Sequence, residues 1–395
     1  LETVNKTIVI FLGHSQYNSM RNMSEEIGLA FVKLSFQVIK IDLLEKDWVG
    51  KLETTIKEEN VSFFFGMNGW GADIKSGEKS LYDVINIPLF AFFVDHPLYH
   101  LERLKLTIKN LVVSFVDKSH LVDLNYFVNN MATKVFIPHG TDYTNEIRKP
   151  ISERKIDILF TGSGVNPDQV LNGWKHLPSG LRKVMIDTSE KLLSGTNKNL
   201  QTNFFETLEQ MDIKINTFYS DSVGKLLYEI DRYTRFYRRR KLIESLLDCP
   251  ISIYGSGWDF LEGKKNSQAK IYSSVDAIAM KELLKETKIA LNIFPNFPNG
   301  THERIFDSMM MGATCLTDEN SYISKRYTHN NDIIYYQHND PLLPERIKAY
   351  LENEELLQNI ANKGFEQTNQ NHTWINRALK ILETIDIHQG LRAIQ

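Results

Sequence analysis

Asn299–Asp318 reads Asn-Gly-Thr-His-Glu-Arg-Ile-Phe-Asp-Ser-Met-Met-Met-Gly-Ala-Thr-Cys-Leu-Thr-Asp, and its reading decides the fold. Asn299 and Gly300 form a turn, and Thr301 is a good N-cap. A helix follows over about His302–Met311. Gly312 stands where a left-handed residue ends a helix, and Ala313–Thr317 is the next short strand. Apolar Ile289–Phe294 precedes the turn as a buried strand. The pattern is therefore strand, loop, helix, tight turn, strand. Such a helix start presents backbone N–H groups and the positive end of a dipole. Arg304 adds a cation in the first turn, and Asp307 lies three residues on, on nearly the same face. An anion site beside a carboxylate suits a nucleotide, with diphosphate on the N–H groups and ribose hydroxyls on the carboxylate.

The chain on either side repeats this strand–helix rhythm. Strands are expected at Thr7–Leu12, Gln37–Ile41, Val61–Phe65, Pro88–Val94, Leu111–Phe115 and Lys134–Ile137. Helices alternate with them at Met20–Leu34, Asp47–Glu58, Leu81–Asn86, Leu98–Lys109 and Lys118–Asn129. About six β–α repeats predict a doubly wound parallel sheet, whose ligands sit beyond the carboxyl ends of the strands. Polar Asp142–Arg154 reads as a linker. A second series has strands at Ile156–Phe160, Pro250–Tyr254, Ile289–Ile293 and Asp332–Tyr336. Residues 166–247 read as a helical insertion. Helices at Ala277–Lys285, Pro344–Asn353, Glu355–Phe365 and Trp374–Ile385 complete it.

Composition sets outer bounds. With 395 residues, 42% hydrophobic and 24% charged, the chain has room for two globular domains. A net charge of −3 argues against a dedicated nucleic-acid binder. Cys249 and Cys315 are far apart and fit buried thiols in a reducing compartment. No apolar run reaches transmembrane length. The start, Leu1–Lys6, is not a signal peptide, and its lack of methionine leaves a longer chain open. The expectation is a cytoplasmic protein.

The segment His302–Ala313 resembles the donor-binding segment of GT-B glycosyltransferases, nearest to the bacterial CgeB-like spore-maturation branch. There, Arg-x-Phe-Glu precedes a small-residue helix end and a Gly-Ala or Gly-Thr turn. The resemblance implies two Rossmann-like doubly wound domains. These are residues 1–142 on the acceptor side and 155–370 for the nucleotide sugar, with helix 371–395 crossing back. In the wider superfamily a Glu holds the ribose; here Asp307 stands there, one methylene shorter. An earlier Glu, eight positions before, is Asn299 in this chain.

Further stretches carry candidate chemistry. Thr161-Gly162-Ser163-Gly164 follows a strand, where backbone N–H groups can approach a phosphate; the alternative is a tight βα turn. Gly255-Ser256-Gly257-Trp258 resembles the Gly-x-Gly-Trp turn of the CgeB-like branch near the base, and Trp258 either stacks on that base or packs the domain. The donor set is Gly162, Ser163, Gly164, Gly255, Gly257, Trp258, Gly300, Thr301, His302, Glu303, Arg304 and Asp307. Asp95-His96-Pro97 ends a buried strand and offers acid–base groups; alternatively Asp95 caps the next helix while His96 packs. His14 occupies the loop where GT-B enzymes approach the acceptor, so His14, Asp95 and His96 are the catalytic candidates. Asn68, Gly69 and Trp70 line the acceptor side, Trp70 as a sugar platform or a plug. His139 faces the hinge. The run Arg235, Arg238, Arg239, Arg240, Lys241, interleaved with Tyr233, Phe236 and Tyr237, reads as a solvated helix packed by its aromatic side, with diphosphate contact as a further use.

No Asp-x-Asp occurs, which points to metal-independent transfer, with the helix N-terminus and Arg304 in place of a cation. No cofactor is expected beyond the sugar nucleotide itself. The expected reaction moves a sugar from a nucleotide-diphosphate donor to a glycan, protein or other cell-surface acceptor. The rivals are a sugar-nucleotide epimerase of the same fold and a non-catalytic GT-B scaffold.

Overall fold

The computed structural model describes residues 6–128, 133–143, 147–195, 198–261 and 267–395. The chain divides into two compact units, Leu1–Tyr143 with Asn371–Gln395, and Thr144–Gln370.

The first unit is built on six parallel strands: β1 (Thr7–Leu12), β2 (Gln37–Asp42), β3 (Val61–Met67), β4 (Leu89–Phe93), β5 (Leu111–Phe115) and β6 (Thr133–Phe136), in the order β2-β1-β3-β4-β5-β6. Strands β1, β4 and β5 are buried at every position, as strands covered on both faces must be. Their aromatic side chains interlock across the sheet, with Phe11 on Phe64 and Phe65 on Phe90 at ring separations of 5.6 and 6.0 Å. The C-terminal helix Trp374–Ile394 packs on this unit and begins with a capping box of Thr373 and Asn376. Trp374 Nε1 donates to Glu26 at 2.6 Å, and Arg377 Nε donates to the carbonyl of His139 at 2.8 Å.

The second unit has its own six parallel strands: β7 (Ile156–Thr161), β8 (Ile251–Tyr254), β9 (Lys270–Tyr272), β10 (Thr287–Leu291), β11 (Thr314–Asp318) and β12 (Ile334–Tyr336), in the order β9-β8-β7-β10-β11-β12. This α/β architecture of two doubly wound sheets matches the expected fold class. Both orders reverse beside their first strand, between β1 and β3 and between β7 and β10. Residues 166–247 hold helices Pro167–Gly173, Ser179–Leu193, Leu200–Glu209 and Ser220–Ser245.

Some elements differ from the sequence expectation. Leu98–Lys109 is a 3-10 turn, Pro97–His100, and one α-turn, Leu101–Leu104. Leu111 follows too closely for a longer helix to return the chain to the sheet. Lys118–Asn129 shrinks to His120–Asp123 and a 3-10 turn to Tyr126, and Asn129 lies outside the described residues. Also outside them are residues 1–5 of the N-terminal reading and 144–146 of the linker. Strand β9 has no counterpart in the sequence reading. It is only three residues long, Lys-Ile-Tyr, and exposed along its length, and pairing with β8 alone identifies it.

Candidate functional site

The sheet of the second unit reverses order between β7 and β10, and their carboxyl ends form the crevice where doubly wound sheets hold ligands. The Gly162–Gly164 loop leaves β7 there. The chain from β10 leads to the helix Glu303–Met310.

That helix is built as its sequence demands, with one change at its start. The N-cap is His302, not Thr301, and Thr301 is buried one position before it. At the other end Gly312 has φ +78°, with Gly312 N–H donating to Met309 O and Ala313 N–H to Ser308 O. These two bonds make a Schellman stop. Arg154 seals it, donating to the carbonyls of Met311, Leu284, Thr287 and Lys149. Burial pulls its guanidinium pKa down to about 10.

Arg304 dominates the charge of the site. Its Nη2 lies 3.1 Å from His302 Nε2. A guanidinium only donates, so Nε2 accepts and the ring proton sits on Nδ1, 3.0 Å from the Glu303 carboxylate. The backbone N–H of Arg304, 3.4 Å from that same Nδ1, then faces a protonated nitrogen and gains no cap from the ring. Burial, then the Arg304 charge, lowers the His302 pKa, so the ring is held neutral. Glu303 Oε1 is 4.0 Å from Arg304 Nε. Arg304 Nη1 is buried and has no hydrogen-bond partner among the described residues. It lies 3.7 Å from where a Cβ on Gly162 would stand, so it points at the bare face of the glycine loop. Burial and the charge of Arg235 disfavour this guanidinium, and Glu303 alone among its larger influences supports it. A buried donor left unmet is costly, and an anion between Arg304 and the loop would meet it.

The loop is prepared from the other side. Gly162 and Gly164 commit their N–H groups to Tyr254 O and Ser256 O, at 2.9 and 2.8 Å, rather than offering them to a ligand. Ser163 is left as the loop's outward residue, its carbonyl accepting from Arg239 Nη1 at 3.0 Å. A Cβ on Gly255 would overlap Gly162 O, and one on Gly257 would overlap Gly164 O. Trp258 is 1% exposed and donates Nε1 to Gly162 O at 2.9 Å. It is thus a core residue holding the loop, not a platform for a base. The exposed aromatic lies on β9, where Tyr272 stacks on Tyr254 with ring centroids 4.6 Å apart. Sequence reasoning missed it because β9 carries no periodic signal.

The basic run is not a solvated face. It lies on the helix Ser220–Ser245, and Arg239 is only 7% exposed. Arg235 pairs with Asp231, Arg238 donates to Asn296 and to Leu192 O, and Arg240 pairs with Asp168 and Glu244. The aromatic packing expected of this helix is present, Tyr233 meeting Trp174 at 5.2 Å. Asp307 is 6% exposed, one turn into the Glu303–Met310 helix.

The first-unit candidates separate. Asn68 (φ +47°) and Gly69 (φ +71°) form a tight left-handed turn after β3. Asn68 is buried, accepting from Val94 N–H and donating to Asp95 Oδ2 at 2.8 Å. Trp70 is buried against Gly13, so both serve the turn rather than an acceptor surface. His96 packs as the capping alternative has it, but the cap is His96 rather than Asp95. His96 is buried and accepts from Leu98 N–H, while the Asp95 side chain is 53% exposed. His14 is exposed after β1, and His139 is buried.

A glycosyl transferase-like family model matches residues 238–383, which contain the Gly255–Trp258 turn and the Glu303–Met310 helix. No curated protein matches the chain. Among solved structures it is similar to sucrose-phosphate synthase from Thermosynechococcus elongatus (9% identity, 99% of this chain and 100% of that one, TM-score 0.57). It is similar to HepE of Anabaena, solved with UDP and glucose (12% identity, 96% and 99%, TM-score 0.55). An alpha-glucosyltransferase solved with UDP and a DNA containing an HMU base aligns at 13% identity over 97% and 99%, with a TM-score of 0.60. At these identities the likeness establishes the fold, which is that of GT-B glycosyltransferases. None of these findings singles out the CgeB-like branch.

Proposed function

We propose that this chain, GT-B in fold and glycosyl transferase-like over residues 238–383, transfers a sugar from a UDP-sugar donor to a hydroxylated acceptor. The observation that carries the reading is the buried, unmet Nη1 of Arg304 facing the Gly162–Gly164 loop at the switch point of the second sheet. UDP is favoured as the nucleotide because the HepE structure holds it on a related fold.

The diphosphate lies between Arg304, the first turn of the Glu303–Met310 helix and Ser163. The long helix supplies further positive charge through Arg235 and Arg239. Tyr272 offers an aromatic face for the base. In the transfer, the bond from the anomeric carbon to the β-phosphate oxygen breaks and the diphosphate leaves with that electron pair. The acceptor oxygen bonds to the anomeric carbon and loses its proton. Cations and N–H dipoles already in place stabilise the charge that develops on the leaving group. On the acceptor side, His14 and Asp95 are the exposed members of the three catalytic candidates, and Asp95, oriented by Asn68, is the proposed base.

Charge on the leaving group is met by arginines, so a divalent ion is not required. Sugar release from UDP-glucose, measured by UDP formation in excess EDTA, is therefore expected to persist. Loss of release in EDTA with recovery in magnesium or manganese would overturn the metal-independent reading. Conversion of UDP-glucose into another sugar nucleotide would favour an epimerase, and UDP binding with no turnover would favour a scaffold.

Asp307 is the proposed ribose contact. One helical turn, roughly 5 Å, separates it from the anion site, about the span from diphosphate to ribose. Asp307→Asn keeps the shape and removes the charge. UDP affinity is expected to fall by about 1.5–3 kcal/mol, and preference for UDP over its 2′-deoxy analogue is expected to shrink. Parent-like affinity for both nucleotides would make Asp307 a structural carboxylate only.

A further inference from the structure

Beyond the Arg304 site, the carboxyl ends of β10, β11 and β12 border a second cavity of about 440 Å3. That volume falls in the range of small-molecule pockets, roughly 300–1,000 Å3. Its polar feature is a paired carboxylate and imidazole, with His338 Nε2 and Asp318 Oδ2 3.0 Å apart. Asp318 also accepts from Phe294 N–H at 2.9 Å. Burial opposes the Asp318 charge, but His338, the Phe294 N–H and Arg238 outweigh it, so the carboxyl stays below its ordinary range. An ionised Asp318 accepts, which puts the His338 proton on Nε2 and leaves Nδ1 with its lone pair. That Nδ1 is buried and has no partner among the described residues.

The rest of the lining narrows the ligand. Phe294 and Phe297 supply apolar surface, and Glu319 and Asn339 supply polar groups. Both cations at the wall are already engaged: Arg238 donates to Asn296 Oδ1 and Leu192 O at 2.6 and 2.5 Å, and Lys198 pairs with Glu206 at 2.8 Å. Two carboxylates facing an arginine and a lysine that are both committed elsewhere disfavour an anion. A lone acceptor beside aromatic rings suits an uncharged ring bearing hydroxyls, with C–H faces on the aromatics and O–H groups as donors. The cavity is also tied to the anion site. Asn296 donates to Asp231 and Thr234 of the long helix, and Asp231 holds Arg235.

We propose that this cavity is a saccharide subsite, in which His338, oriented by Asp318, accepts a hydrogen bond from a sugar hydroxyl. The subsite rests on the proposed glycosyl transfer for its ligand class. Its sugar is either the hexose of the donor or a unit of the acceptor.

Histidine ring-nitrogen NMR on the full 15N-labelled chain separates these cases, with His338→Gln assigning the signals. The probes are UDP, UDP-glucose, and free glucose or N-acetylglucosamine added with UDP. The Nδ1 resonance of His338 is expected to move with a sugar and not with UDP alone. Movement with UDP-glucose only identifies the donor hexose; movement with a free sugar identifies an acceptor unit. Asp318→Asn is expected to weaken that sugar by about tenfold, while UDP affinity by calorimetry stays at the parent value. A His338 signal unmoved by every sugar, or moved equally by UDP, would overturn the subsite. Failure of UDP itself to bind would instead strike the nucleotide reading, since free sugars still report on the cavity.

Discussion

Arg304→Ala is expected to lower affinity for UDP by roughly ten- to a hundredfold while the protein stays folded. The side chain is only 16% exposed, and its Nη1 is buried with no partner among the described residues. A charge-assisted bond to phosphate is worth about 1.5–3 kcal/mol, which is that factor in the dissociation constant. Folding loses little, because the burial of this guanidinium is poorly compensated and its removal relieves a desolvated charge. Calorimetry with UDP and a thermal melt without ligand read the two effects separately. Arg304→Lys should recover only part of the affinity, since an ammonium is a point charge without the planar fork. Parent-like UDP binding by the alanine variant would remove the basis of the proposed site.

Gly257→Ala is expected to have the largest effect on the second unit. Gly257 has φ +77°, which costs a residue with a Cβ about 1–2 kcal/mol. The new Cβ would also overlap Gly164 O, a backbone atom that cannot step aside alone. The two glycine turns would have to part, breaking the bond from Gly164 N–H to Ser256 O and displacing Ser163. A combined cost of about 3 kcal/mol corresponds to a melting-temperature drop of about 6–12 °C for a unit of this size. UDP affinity should fall with it. Gly50→Ala is the matched control. It lies in a helix with nothing within 4 Å of the added methyl and should be neutral or slightly stabilising. A Gly257→Ala protein with parent stability and parent UDP affinity would show the paired turns to be incidental.

The sequence carried the elements whose signal is local. Thr7–Leu12, Leu111–Phe115 and Ala277–Lys285 stand where their patterns place them. Gly312 closes the Glu303–Met310 helix because a left-handed stop needs a residue without a Cβ. The short helices after β4 and β5 were overestimated. Apolar residues there serve loops packed under the sheet, and their spacing imitates a helical stripe. Strand β9 was illegible for the opposite reason, since its identity comes from pairing with β8.

Sequence alone thus determined the α/β rhythm, the position of the helix bearing Arg304 and Asp307, and the glycines of both turns, because periodicity, caps and left-handed stops are properties of neighbouring residues. Tertiary structure decided the rest. It drew Arg239 onto the Ser163 carbonyl and put Trp258 into the core as a strut for Gly162. It gave the cap at Leu98 to His96 in place of Asp95, and it joined Asp318 to His338 across 20 residues. Each of these depends on strand order and on which polar group burial leaves unmet, and neither is written in the spacing of residues along the chain.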